Sequence, residues 1–181
     1  MRILIFSDIH GSLPVARHIR ELAASMQPDY VMLLGDILYH GPRNPLPQGY
    51  DPQAAAAELA SLGNNVIAMK GNCDNEADES MLPFPLTPGS MWLFVEGLRI
   101  HATHGHTFTL ETLPALPEET ILLYGHTHVP MARMVKGLTL CNPGSLCLPK
   151  EGHPASYGLL EHGSFSVITR EGEVYLRLDC L

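Results

Sequence analysis

A chain of 181 residues, 45% hydrophobic and 17% charged, has the apolar content of an ordinary folded domain and too much of it for a disordered one. Its formal net charge of −8 argues against tight duplex binding, which needs Lys and Arg to neutralise phosphates, so nucleic acid is not an expected partner. No stretch approaches the roughly 18 consecutive apolar residues of a membrane span. The N-terminal apolar run meets Asp8 and His10 too soon to be a signal peptide, and a cytoplasmic protein with reduced thiols is expected. The four cysteines form no C-x-x-C pair or zinc-ribbon spacing; Cys141, Cys147 and Cys180 sit among apolar neighbours and read as small core residues.

The chain opens on an apolar run, Arg2 to Phe6, that stops at Ser7-Asp8-Ile9-His10-Gly11. Such a run suits a buried parallel strand, and ligands collect at the carboxyl ends of strands in open α/β folds. In an extended backbone Asp8 and His10 face one side, which suggests a metal site; a helix cap and a surface histidine are the plainer alternative. Helical spacing follows from Leu13 to Met26, with Ser12 as a candidate cap and Pro14 in the first turn. A second apolar run, Tyr30 to Leu34, ends at Gly35-Asp36, and residues 37–51 are rich enough in proline and glycine to form a long, irregular loop. An alanine-rich helix is expected over Pro52 to Leu62, and a third strand, Asn65 to Met69, runs into Gly71-Asn72-Cys73-Asp74. This alternation of strand and helix implies a mainly parallel sheet.

The second half reads as short strands: Met91 to Val95, Leu98 to Thr103, Ile121 to Tyr124, Met131 to Val135, Leu138 to Cys141, Tyr157 to Glu161, Ser164 to Thr169 and Glu173 to Leu178. His162-Gly163 and Glu171-Gly172 have the composition of hairpin turns. No repeat or linker splits the chain, and one domain over residues 1–181 is expected. Histidines gather where these strands end, at His101, His104 and His106 and again at His126 and His128. A lone histidine is usually an ordinary residue, but several at strand ends beside Asp8, Asp36 and Asn72 point to a metal centre.

Asp8-x-His10, Gly35-Asp36, Gly71-Asn72, His104-Gly105 and Gly125-His126-x-His128, in that order, resemble the motif set of the calcineurin-like metallophosphoesterases. Ser7 to Pro14, His40 to Asn44, Gly71 to Asp74 and Asn142 to Ser145 are similar to the bacterial YfcE-type phosphodiesterase subgroup, and the likeness runs from residue 1 to about residue 170. The resemblance implies an α/β fold, a four-layer αββα sandwich of two mixed β-sheets flanked by helices, with two metals between loops at one end. It assigns Asp8, His10 and His128 to one metal, Asn72, His104 and His126 to the other, and Asp36 to both. Imidazole with oxygen donors and no thiolate suits Mn²⁺ first, with Fe, Zn or Ni as alternatives. The expected chemistry is in-line hydrolysis of a small or nucleotide-like phosphodiester by a hydroxide bridging the metals.

Many relatives carry Gly-Asn-His-Glu where this chain has Gly71-Asn72-Cys73-Asp74. Protonated Cys73 is a weak donor without charge, which predicts a preference for good leaving groups; it also reads as a small residue that fits the loop. His106 is a candidate to touch substrate or orient water, or is a surface histidine. Arg43 is a candidate phosphate contact from the 37–51 loop, or holds that loop through carbonyls. Asn142 to Ser145 reads as a structural turn beside the site. A nuclease or phosphomonoesterase and a non-catalytic scaffold, as in the retromer subunit that shares this fold, are the competing functions. A homo-oligomer stays open, because relatives assemble through sheet edges or loops.

Overall fold

The computed structural model describes residues 1–180. The elements are β1 (Arg2–Phe6), α1 (Leu13–Met26), β2 (Tyr30–Leu33), α2 (Pro52–Ala60), β3 (Val66–Met69), α3 (Glu76–Met81), β4 (Leu86–Thr87), β5 (Ser90–Val95) and β6 (Leu98–Thr103), then β7 (Thr120–Leu123), β8 (Met131–Val135), β9 (Leu138–Asn142), β10 (Ser156–Glu161), β11 (Ser164–Thr169) and β12 (Val174–Asp179). They build a seven-stranded sheet in the order β12-β11-β10-β1-β2-β3-β4 and a five-stranded sheet in the order β5-β6-β7-β9-β8. Both are mixed, as expected. β1 to β4 run parallel, and β10 to β12 extend that sheet antiparallel from β1.

β1 shows why the apolar runs are continuous rather than alternating. Ile3 and Ile5 face the smaller sheet, packing with Met32, Phe165, Ile100, Ile121 and Leu123. Leu4 and Phe6 face the other way, onto Val15 and Ile19 of α1 and Leu59 of α2. A strand buried on both faces has no polar side to show. The outer face of the smaller sheet is closed by the segment between β6 and β7, where Phe108, Leu113 and Leu116 cover Leu122, Tyr124 and Leu140.

Two sequence expectations are corrected, and two elements appear that the sequence did not announce. Ser12 does not cap α1 with its side chain; its hydroxyl donates to Gln48 O at 3.1 Å and so ties the 37–51 loop to the helix start. α3 and β4 carried no signal, being too short for periodicity; α3 is instead fixed by a capping box between Asn75 and Asp78. Cys147 and Cys180 are only half-buried, whereas Cys141 is in the core. The His162-Gly163 turn has both residues at positive φ, 50° and 73°, the primed-turn signature; at Glu171-Gly172 only the glycine does, at 91°, and a bulge at Val167/Ile168 absorbs the difference. Among the described residues no helix is long and apolar enough to cross a membrane.

Candidate metal centre

Five strand ends deliver the polar residues to one place. β1 and β2 lead to Asp8, His10 and Asp36, β3 leads to Asn72, β6 to His104, and β7 to His126 and His128. The strand ends can meet because glycines stand between them: a Cβ on Gly35, at φ +96°, would lie 2.6 Å from the Gly71 amide nitrogen. The extended-chain reason for pairing Asp8 with His10 does not hold, since both sit beyond the strand in the left-handed region, at φ 56° and 49°. Asp36 (54°), His126 (62°) and His128 (60°) do likewise, so five of the seven predicted ligands occupy a conformation costly for non-glycine residues. The surroundings enforce it: Asp8 N donates to Gly35 O at 3.1 Å and His10 N to Asp36 O at 2.9 Å.

Three imidazoles are aimed by the same device. Nδ1 of His10 donates to Tyr39 O at 2.9 Å, Nδ1 of His104 to Leu34 O at 2.7 Å, and Nδ1 of His128 to Leu148 O at 2.7 Å. A carbonyl can only accept, so each Nδ1 carries a hydrogen and each Nε2 is turned to the centre, the orientation a metal ligand needs. Donor atoms of Asp8, His10 and His128 lie within 4.8 Å of one another, as do those of Asp36, His104 and His126. Asn72 Oδ1 joins the second group, 3.1 Å from His104 Nε2. Asp36 spans the two, with Oδ1 3.4 Å from His104 Nε2 and Oδ2 3.9 Å from His10 Nε2.

The donor set fits divalent cations on a direct observation. Asp8 is fully buried; its Oδ2 accepts from Ser7 Oγ at 2.6 Å and His126 N at 2.9 Å, yet Oδ1 has no hydrogen-bond partner. A buried carboxylate oxygen left without a donor is costly. This one lies 3.3 Å from His128 Nε2 and 3.8 Å from His10 Nε2, where a shared cation would satisfy all three.

The electrostatics follow the same geometry. Burial pushes the Asp36 carboxyl up, but the hydrogen bond and charge of His104 and the Cys73 amide outweigh it, and the carboxyl is held well below its usual range. Burial opposes the His104 imidazolium, yet Asp36 and Asp8 raise it to about 9. His126, desolvated and facing His104, is pushed down to about 4. Cys73 has its Sγ within 4.8 Å of donor atoms of His10 and Asp36, a grouping the sequence reading did not contain. Burial and the Asp36 charge push its thiol up to about 12, so it stands there protonated.

His106 is exposed at the rim, its ring 5.6 Å from that of His104 and 6.1 Å from that of His126. His101 does not join the centre; it lies within β6 and packs edge-on against Trp92. Sequence reasoning missed Asp74, which accepts from the backbone N–H of Asp36 and Ile37, both at 2.8 Å, and of Gly71 at 2.7 Å. The only signal was a carboxylate two residues after Asn72. Asn142 and Ser145 hold the loops as a structural turn would: Asn142 Nδ2 donates to Gly125 O at 2.8 Å, and Ser145 Oγ to Asp8 O at 2.9 Å.

The centre opens into a cavity of about 630 Å³, lined by Asp36, Asn72, Cys73, His126 and His128 together with Tyr39, Arg43, Asn44 and Lys150. The long loop is seated against Cys73 at Gly41, where φ is +78° and a Cβ would fall 2.7 Å from Sγ.

The chain is similar in sequence and fold to known proteins. The profile described as "Calcineurin-like phosphoesterase superfamily domain" matches residues 1–164. Phosphodiesterase YfcE of Escherichia coli K12 is 46% identical over 168 residues, 93% of this chain and 91% of that protein. The solved structure of YfcE, described as a phosphoesterase from E. coli, matches with a TM-score of 0.96 and 42% identity over 100% of both chains. Zinc-bound wild-type Vps29 from Entamoeba histolytica matches over 100% of both chains with a TM-score of 0.63 at 20% identity, a likeness of fold alone. With 46% identity spread over 93% of its length and a profile match that runs from β1 into β11, this chain belongs to the calcineurin-like phosphoesterase superfamily.

Proposed function

We propose that this chain is a metal-dependent phosphodiesterase that cleaves small or nucleotide-like phosphodiesters by in-line displacement at phosphorus. Asp8, His10 and His128 hold one divalent cation, Asn72, His104 and His126 a second, and Asp36 both. The observation that carries this reading is the position of Asp36, one carboxylate oxygen toward each histidine group, on the wall of a cavity of about 630 Å³. The name of the E. coli relative, a phosphodiesterase, agrees with it. Two cations bound there would supply Lewis acidity to phosphoryl oxygens and a nucleophilic water at neutral pH. The nitrogen and oxygen donors favour Mn²⁺ over Mg²⁺, which is poorly suited to imidazole.

The protein's own groups set the rest. The Nδ1 tethers of His10, His104 and His128 turn each Nε2 to the centre to bind and leave these imidazoles no role as bases. Arg43 and Asn44 reach the cavity from the long loop, Asn44 beside His10, and face the bound substrate. Cys73, protonated beside Asp36, offers the leaving oxygen only a weak S–H donor. His106, exposed with its ring 5.6 Å from that of His104, is placed to meet substrate or orient a water beside the second ligand group. Without a strong proton donor, the reaction depends on a leaving group that departs readily as an anion.

The test is hydrolysis of bis-p-nitrophenyl phosphate by chelator-stripped protein given Mn²⁺ or Mg²⁺, with Asp36→Asn alongside. Turnover should return with Mn²⁺ better than with Mg²⁺ and vanish in the variant. Folded, Mn²⁺-loaded protein that cleaves neither this diester nor a monoester would hand the case to the scaffold reading.

A further inference from the structure

Cations are scarce on this acidic chain, and nearly half of them are already neutralised by a carboxylate. Of 11 Lys and Arg side chains, Arg2, Arg17, Arg20, Lys70 and Arg177 face Glu161, Glu58, Glu58, Glu79 and Asp179 respectively. Arg43 and Lys150 form no ion pair among the described residues, yet both line the cavity of the metal centre. The only acidic residue lining that cavity among those described is Asp36, whose two oxygens point to the histidine groups.

Each cation is carried by a backbone segment tied directly to a site imidazole. Lys150 N donates to His128 O at 3.4 Å, two residues after the Leu148 carbonyl that holds His128 Nδ1. Next to Arg43, Asn44 Nδ2 donates to His40 O at 2.9 Å and lies 3.4 Å from His10 Nε2. Both cations therefore rise from segments held beside site histidines, and both line the same cavity as the ligand groups. A cavity of about 630 Å³ is also larger than one phosphodiester with small arms requires; sites of roughly 300–1,000 Å³ take whole nucleotide- or drug-sized ligands.

We propose that Arg43 and Lys150 form a second anion subsite, which takes a terminal phosphate on the substrate other than the one being cleaved. The enzyme thereby selects diesters that carry an additional phosphate monoester. Arg43 supplies the planar fork that matches phosphate oxygens, and Lys150 the point charge. This rests on the phosphodiesterase reading and adds Lys150 as a specificity residue.

The experiment compares thymidine 5′-(p-nitrophenyl phosphate) with the same compound bearing a 3′-phosphate, so that scissile bond and leaving group are identical. With Mn²⁺-loaded wild type, kcat/KM should favour the 3′-phosphorylated compound by about tenfold, carried by KM, since charge-assisted contacts of this kind are worth that much. Lys150→Gln and Arg43→Gln should each collapse the ratio toward one, and Lys150→Glu should take it below one. Arg170→Gln, an exposed cation outside the cavity, should leave the ratio where it was. Because the ratio is internal to each variant, partial inactivation cancels. Turnover of both compounds without preference, or a preference that survives Lys150→Gln, overturns the subsite alone. No turnover of either compound overturns the phosphodiesterase reading and the subsite with it.

Discussion

In one ligand group Asp8, His10 and His128 are all buried, and both imidazoles are fixed through Nδ1 to backbone carbonyls. In the other, His104 is buried and fixed, but Asn72 is exposed and His126 is half-buried on the cavity wall. The first group is the more closed, touching the cavity only through His128 and holding an unpartnered carboxylate oxygen inside it; the second is open to whatever fills the cavity. Closed coordination suits retention, and an open position suits chemistry. On the proposed reading, substrate should meet this centre from the Asn72–His126 side, and a cation there should exchange before one held by Asp8. Asp36 alone belongs to both groups, so the largest effect is expected from it. Asp36→Asn should lower phosphodiesterase turnover by more than the ~10–100-fold typical of losing an outer hydrogen bond to a metal site. Bound Mn²⁺ per chain, read by elemental analysis, should fall at both positions rather than one.

Asp74 tests whether the open group owes its shape to the backbone. Its carboxylate, buried at 6% exposure, gathers the N–H groups of Asp36, Ile37 and Gly71, tying the β2 exit to the β3 exit. Asp74→Ala leaves three inward donors without an acceptor and should cost about 3 kcal/mol in urea unfolding. Mn²⁺ affinity should drop about 10–100-fold. Asp78→Ala, which removes only the α3 capping box, should cost about 1 kcal/mol and leave metal affinity as it is.

The proton balance separates the groups again. The folded His104 pKa is raised from 6.5 to about 9, so its pairing with Asp36 is fully present below about 6.5 and is lost as pH rises through 9. His126 is lowered from 6.5 to about 4; the unfolded chain takes up that proton first, so stability falls as pH drops from 6.5 toward 4. Metal-free protein should therefore show its highest Tm near pH 6.5. The alkaline flank should decline by on the order of 2 kcal/mol up to pH 9. A cation at Nε2 replaces the His104 proton, so Mn²⁺-loaded protein should lose the alkaline decline, and Mn²⁺ binding at pH 7 to 8 should release a proton. A Tm that falls identically with and without Mn²⁺ would place the effect elsewhere.

How far the sequence could be read depended on what each signal was made of. The strands were legible because β1, β2 and β7 are short apolar runs bounded by polar residues, and the order βαβαβ followed from them. The residues of the centre were legible as a motif set, but their backbone was not. Asp8 and His10 converge through left-handed conformations at φ 56° and 49°, which no side-chain pattern announces. His101 was grouped with His104 and His106 by proximity in sequence, whereas a side chain within β6 belongs to the sheet face against Trp92. Asp74 escaped because its partners are backbone amides from two loops, and amides carry no residue identity.

The smallest expected effect concerns Cys73, which stands between the two groups with its thiol near His10 and Asp36. Burial and the Asp36 charge keep it protonated, so it helps the leaving oxygen little and leaves the centre's charge unchanged. Replacing it with an imidazole supplies a proton donor where the leaving group departs, which matters only when that group is a poor one. Cys73→His should therefore raise kcat for alkyl diesters, where general acid help of this kind is worth up to ~10²-fold, and change aryl diester turnover much less. The Gly41 contact sets the condition: with a Cβ there predicted at 2.7 Å from Sγ, the loop is already close, and a larger side chain must turn into the cavity to fit. If the aryl-to-alkyl preference is the same in Cys73→His as in wild type, the thiol is a space-filler and substrate choice rests with the cavity's cations.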